Sequence, residues 1–124
     1  MPNSAPALAV IDGTLVQLTR EGVAAGVCPP LATAIVEFRR GPMRVYVREL
    51  AVGLLPGIAN LYCLDGALRL LWIAQWPADL GACTAIVDAT DDALTVESAF
   101  GLTVRIDPHT GAVIGVDHQL AAAG

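Results

Sequence analysis

Arg39, Arg40, Arg44 and Arg48 are four of the seven basic residues in this chain, whereas from Asp79 onward seven acidic residues face a single Arg105. Guanidinium groups grip carboxylates through paired N–H donors, so charge separated in this way could steer an acidic ligand or lock copies of the chain together. The plainer alternative is a solvated strand face with Glu37 and Glu49 as local partners. Trp72 and Trp76 stand four residues apart with Pro77 following. They read as core or interface anchors before they read as a sugar-stacking platform.

The remaining chemistry-bearing residues fit turns and cores better than sites. Asp88, Asp91 and Asp92 offer hard oxygen ligands, but not at the alternating aspartates of a loop that wraps one calcium ion. Lying between Val87 and Leu94, they suit a hairpin turn whose carboxylates satisfy backbone amides. His109 and His118 each have an aspartate nearby, and Asp107-Pro108-His109 could orient an imidazole for metal binding or proton transfer. One falls in an expected turn and the other close to the C-terminus, so both read as surface residues. Asp12-Gly13-Thr14 has the wrong order for two carboxylates that share a proton, and Asp65-Gly66-Ala67 repeats it as a turn. Cys28, Cys63 and Cys83 form neither an even disulfide framework nor closely spaced zinc pairs, and are expected as reduced thiols acting as small hydrophobes. A cysteine and histidine acting as nucleophile and base has no local support. No catalytic residue, cofactor or metal is assigned.

The chain that positions these residues has 124 of them, 55% hydrophobic and 15% charged, with a formal net charge of −5 and no lysine. That length suits one domain, residues 1–124, and the composition excludes a disordered chain. The charge balance disfavours nucleic acid. The longest uncharged stretch, residues 50–64, is broken by Gly53, Pro56, Gly57 and Asn60 and is shorter than the about 20 residues of a spanning helix, so no membrane contact is expected. Residues 1–10 lack the basic start of a secretory signal, which makes the cytoplasm the expected location. So few charges leave apolar surface uncovered, and a copy of the same chain is its simplest cover, so a homo-oligomer is expected.

Apolar alternation and short apolar runs, interrupted by Gly, Pro, Asn or Asp, indicate an all-β fold of antiparallel sheets. In residues 34–49, Val45 and Val47 alternate with Arg44, Tyr46 and Arg48, which places the two sets on opposite faces of one strand. Residues 8–18 match residues 61–71 without a gap at five identical positions, and 103–116 form a third copy with a longer turn. Each copy reads as strand, acidic turn, strand. Aspartate accepts from the amides of the turn and glycine permits its positive φ.

A strand ending in Asp, a turn such as Thr110-Gly111, and a strand opening with Val or Leu-Trp resemble the last two strands of a β-propeller blade of the quinoprotein-like type. Residues 60–74 and 102–114 resemble two successive blades. The resemblance implies one blade from residues 34–38, 43–49, 61–64 and 68–74, and another from 83–87, 93–98, 102–106 and 112–116. Residues 8–18 would supply half of a further blade. Closed propellers have about four to eight blades, so either copies complete a ring or the strands close as a small sandwich or barrel. Enzymes of this type hold their cofactor on the axis of a full ring, and no residue here maps onto such a site. The expected function is thus a non-enzymatic, self-associating binding or scaffold module, with Arg39, Arg40, Arg44, Arg48, Trp72 and Trp76 as interface candidates and a protein as the possible partner. One competing reading is a small-ligand or metal-binding domain, or an enzyme, whose pocket forms between chains from Asp88, Asp91, His109 or Arg44. Another is an acidic neutraliser of a basic protein.

Overall fold

The computed structural model describes residues 7–54 and 58–118. Among these, eleven strands form three antiparallel sheets in which each strand pairs with its neighbours in sequence. The first sheet holds β1 (Ala7–Ile11), β2 (Thr14–Leu18) and β3 (Ala24–Cys28). The second holds β4 (Ile35–Gly41), β5 (Arg44–Glu49), β6 (Leu61–Asp65) and β7 (Leu70–Ile73). A one-turn 3-10 helix at Ala78–Leu80 leads into the third, made of β8 (Cys83–Ala89), β9 (Leu94–Ser98), β10 (Leu102–Ile106) and β11 (Val113–His118). The fold is all-β, as the apolar patterning predicts. No helix among the described residues is long and apolar enough to cross a membrane. The expectations for residues 1–6, for Pro56 and Gly57, and for the side chain of His118 fall outside the described residues.

The sheets stack in sequence order with the second in the middle. Successive side chains of a strand point to opposite faces, so β5 serves two cores at once. Val45 and Val47 join Ile35, Tyr62 and Leu64 against Leu15 and Cys28 of the first sheet. Tyr46 joins Leu61, Cys63 and Trp72 against Ile86, Leu94, Val96, Val104 and Ile106 of the third. This explains why Leu61-Tyr62-Cys63-Leu64 is apolar without alternation: both faces of β6 are covered, and all four residues are buried. It also moves the arginine-bearing face of β5 off the solvated surface, since that face is the one packed on the third sheet.

The first repeat differs from its expected place. The sequence match aligns β1 and β2 with β6 and β7, but Gln17 Nε2 donates to Gly66 O (3.3 Å), placing the far end of β2 beside the Asp65 turn. At the opposite end, Gly13 O accepts from Ile35 N (2.8 Å). There Asn60 serves the next pair of sheets, its Oδ1 accepting from Cys83 N (3.0 Å). Strands β1, β2 and β3 therefore correspond to β5, β6 and β7, and β1 packs on β4 as β5 packs on β8. The two turns look alike in sequence and differ in conformation. Asp12 and Gly13 both take positive φ (51° and 76°), as a two-residue hairpin turn requires. In the other turn Leu68 carries the positive φ (64°), while Asp65 Oδ1 accepts from Ala67 N (2.8 Å) and Arg69 N (2.9 Å). Strand β3 is invisible to patterning because Ala24-Ala25-Gly26-Val27-Cys28 has little β-branched character.

Candidate functional site

Three of the four arginines predicted to bind carboxylates, Arg39, Arg44 and Arg48, converge on the junction between the second and third sheets. Arg48 Nε pairs with Glu37 Oε1 at 2.6 Å, and the same oxygen accepts from Ile86 N (3.2 Å) across the junction. Arg39 Nη2 donates to Ile86 O at 3.4 Å. Arg40 lies exposed on β4. Glu37 is thus the local partner that the spacing suggests, but Glu49 is not. Its side chain leaves by the other face of β5, toward the first sheet.

Arg44 occupies the end of this junction, where three turns meet. It stands beside Pro42 of the β4–β5 turn, Thr90 and Asp91 of the β8–β9 turn, and Pro108 and His109 of the β10–β11 turn, around a cavity of about 110 Å3. Its Nη2 lies 3.3 Å from His109 Nδ1, and its Nε is buried with no hydrogen-bond partner. Tyr46 forms the floor and is held over Gly41, where an added Cβ would come 2.6 Å from the ring. Burial raises the Tyr46 pKa, the Asp91 carboxylate adding to the effect and Arg44 opposing it. The turn that presents His109 is fixed by Asp107 Oδ1, which accepts from His109 N (2.8 Å). It is fixed again by Trp72, whose Nε1 donates to Pro108 O (2.9 Å). So Arg44, Asp91 and His109 come together within one chain rather than between chains. Asp88 is not among the lining residues, and its Oδ1 instead accepts from the backbone of Ala89 (2.9 Å).

The tryptophans and cysteines have their surroundings within the chain. Trp72 is buried, with its ring 6.1 Å from that of Tyr46, and Trp76 Nε1 donates to Gly81 O (2.6 Å) beside the 3-10 turn. The three cysteines are buried free thiols. Burial pushes Cys63 and Cys83 up to about 12. Among the described residues no three His, Cys, Asp or Glu side chains converge as a metal site requires.

Sequence reasoning missed the buried carboxylate of Glu49. It accepts from the backbone N–H of Leu31 (2.6 Å), Ala32 (3.0 Å) and Thr33 (2.9 Å), and from the Tyr62 hydroxyl (2.5 Å). Burial alone would raise its pKa, but the donors at Thr33, Tyr62, Leu31 and Ala32 outweigh this and hold it below the ordinary value. Burial and the Glu49 carboxylate push the Tyr62 hydroxyl up. Nothing near Glu49 in sequence betrays this role, because its donors lie in the distant loop before β4.

The two ends of the stack differ in chemistry. On the outer face of the first sheet the register aligns Ala9, Val16 and Val27, with Ala7 and Leu18 beside them and Ile11 at the end. Ile11 and Val27 are 51% and 59% exposed. On the outer face of the third sheet it aligns Thr95, Glu97, Thr103, Arg105 and Asp117, with Arg105 and Asp117 3.9 Å apart.

No family model matches this chain, and no curated protein matches it. Among solved structures, the crystal structure of BamB from Moraxella catarrhalis, a β-propeller of the quinoprotein-like type, is similar over 91% of this chain, with a TM-score of 0.59 and 21% identity. The fold is propeller-like. The chain spans 34% of the BamB chain, and its second and third sheets correspond to complete four-stranded blades. The first is a blade of three strands, without a described counterpart of the innermost β4 and β8. In these terms the Arg44 cavity lies between two adjacent blades, and the apolar and polar faces are the outward sides of the first and last blades.

Proposed function

We propose that this chain is a non-enzymatic binding and scaffold module that self-associates through the outward face of its first blade. The observation that carries this reading is the apolar outward row in which Ile11 and Val27 are exposed on either side of the buried Val16, flanked by Ala7, Ala9 and Leu18. Arg39, Arg44, Arg48, Trp72 and Trp76 are engaged inside the chain, which leaves that row as the better surface for a partner. A second copy is the favoured occupant. An apolar face matches itself across a two-fold axis, whereas pairing it with the charged outward face of the third blade would bury Arg105 and Glu97 against hydrocarbon. The face is small: three strands about 4.8 Å apart and five residues of about 3.4 Å each cover only a few hundred Å2. That is below the roughly 800 Å2 per partner of a stable interface, so the dimer is weak and depends on concentration.

Sedimentation equilibrium of the full chain from micromolar to millimolar concentration tests the reading. The expected result is a reversible monomer–dimer equilibrium that Val27→Asp abolishes while the variant keeps its cooperative melting. A chain that stays monomeric throughout, or a dimer indifferent to Val27→Asp, removes this face from the function.

A further inference from the structure

Among the described residues only the first blade lacks an innermost strand, so β1 stands at an open sheet edge. Ile11 and Thr14 close the two-residue turn as a hydrogen-bonded pair, so Ala7, Ala9 and Ile11 turn their backbone groups to β2. Leu8 and Val10 turn theirs the other way, toward the place that β4 takes beside β5 and β8 takes beside β9. No backbone hydrogen bond from the described residues reaches that edge. Native sheets guard such edges with charges, prolines or bulges. Strand β1 has no charge and no proline. It also pairs with β2 in unbroken register, whereas β3, β4, β7, β8 and β11, the other strands that end a sheet, all pair through a register shift. The side chains at the edge are unfinished too. Leu8, Val10 and Phe38 of β4 pack on the core between the first and second sheets but stay only partly buried, while Tyr46, on the corresponding face of β5, is 1% exposed.

We propose that the inner edge of β1 takes up an extended strand of a second protein, with an aliphatic residue at every other position, as the fourth strand of the first blade. The other two blades define what fits. Each fills this place with a single strand, β4 or β8, that runs antiparallel to its neighbour and sets an apolar residue, Ile35 or Ile86, into a core. Main-chain hydrogen bonds to Leu8 and Val10 give affinity, and the alternate side chains that meet Leu8, Val10 and Phe38 give selectivity. Residues 1–6 are poor material for that strand, since Pro2 and Pro6 carry no N–H and a strand of ordinary length with a two-residue turn needs about seven residues. A second copy would bring a whole sheet to a place that the other blades fill with one strand. The edge is separate from the self-association surface, because it uses the backbone of β1 and the face opposite Ile11.

The test is amide hydrogen exchange of the full chain, read residue by residue by NMR, with an acetylated and amidated octapeptide in which valine alternates with threonine and lysine. In the chain alone the Leu8 and Val10 amides should exchange faster than those of Ala9 and Ile11, which are bonded to β2. The peptide should bind with a Kd below about 1 mM and, at ten times its Kd, slow Leu8 and Val10 by about tenfold. A peptide of the same composition with its valines grouped should bind at least about tenfold more weakly. Val10→Pro removes an edge N–H and no bond to β2, so it should abolish the slowing at Leu8. Val27→Asp should leave that slowing intact, which separates failure here from failure of the self-association reading. If Val10→Pro does not fold, the exchange of the parent with the two peptides decides. Leu8 and Val10 as protected as Ala9 and Ile11 before peptide is added, or protection that rises with chain concentration alone in Val27→Asp, would overturn the proposal by showing the edge already filled by the chain or by a copy of it. Equal binding of the two peptides, or no slowing at millimolar peptide, would overturn it as well.

Discussion

Glu49 is a charged residue that is 1% exposed, and its surroundings explain how a core between two sheets tolerates it. Three backbone N–H groups and the Tyr62 hydroxyl converge on its two oxygens, which stabilise the ionised form and tie the loop before β4 to the end of β5. Because its folded pKa lies below the unfolded value of about 4.3, its contribution is fully present above that value and is lost as pH falls through the folded one. Urea unfolding should therefore show stability declining below about pH 4 in the parent. Glu49→Gln should cost about 3 kcal/mol at neutral pH, since an amide NH2 then faces amide donors, and should flatten the acid limb. Equal acid limbs in the two proteins would mean that another carboxylate controls it. The buried thiols yield a separate expectation. With Cys63 and Cys83 pushed up to about 12, only about one in ten thousand is thiolate at pH 8. Labelling by a disulfide reagent should follow global unfolding, and rapid modification of the folded chain at Cys63 would place it outside the core.

Two turn glycines that look equivalent in sequence are separated by their packing. Gly111 has φ +81°, and a Cβ there would meet the Trp72 ring at 2.6 Å, whereas Gly66 has an ordinary φ and open space around it. Gly111→Ala should cost about 2–4 kcal/mol, from left-handed strain added to overpacking. Gly66→Ala should stay within about 0.5 kcal/mol. Chemical denaturation of the pair checks this, and similar losses at both would show that the Trp72 contact is unimportant. The same contrast marks what could be read without coordinates. Strands β4, β5 and β6 and the whole third sheet follow from alternation and from punctuation by Gly, Pro and Asp, which are local signals. The placement of the first repeat does not, because Asp12-Gly13 and Asp65-Gly66 share letters while adopting different turns, and only the contacts of Gln17 and Ile35 fix which end each occupies. At the candidate site, Arg44, Asp91 and His109 were legible as types of residue. Their convergence was not, since it depends on the second and third blades facing each other across Tyr46 and Trp72.

At the scale of the molecule, the first and third sheets each turn one face away from the second. The blade of β4 to β7 is covered on both sides. A face turned outward is either polar or covered by something else. The third blade takes the first course with Thr95, Glu97, Thr103, Arg105 and Asp117; the first blade, with Ile11, Val16 and Val27, is left to the second. This asymmetry separates three modes of assembly in one set of measurements. Head-to-tail closure into a ring would join unlike faces and continue beyond two copies, whereas contact between two first blades stops at two. An interface held by the arginine hairpin would be ionic and would weaken as the screening length falls to about 3 Å in 1 M salt, while an apolar one would persist or tighten. Sedimentation in 0.05 M and 1 M sodium chloride is therefore expected to give a dimer that high salt does not weaken, with no larger species. Thr95→Glu, which adds a charge at the centre of the opposite end, should leave that dimer unchanged. Trimers or tetramers lost on Thr95→Glu would establish ring closure, and dissociation by salt would return the arginines to the interface.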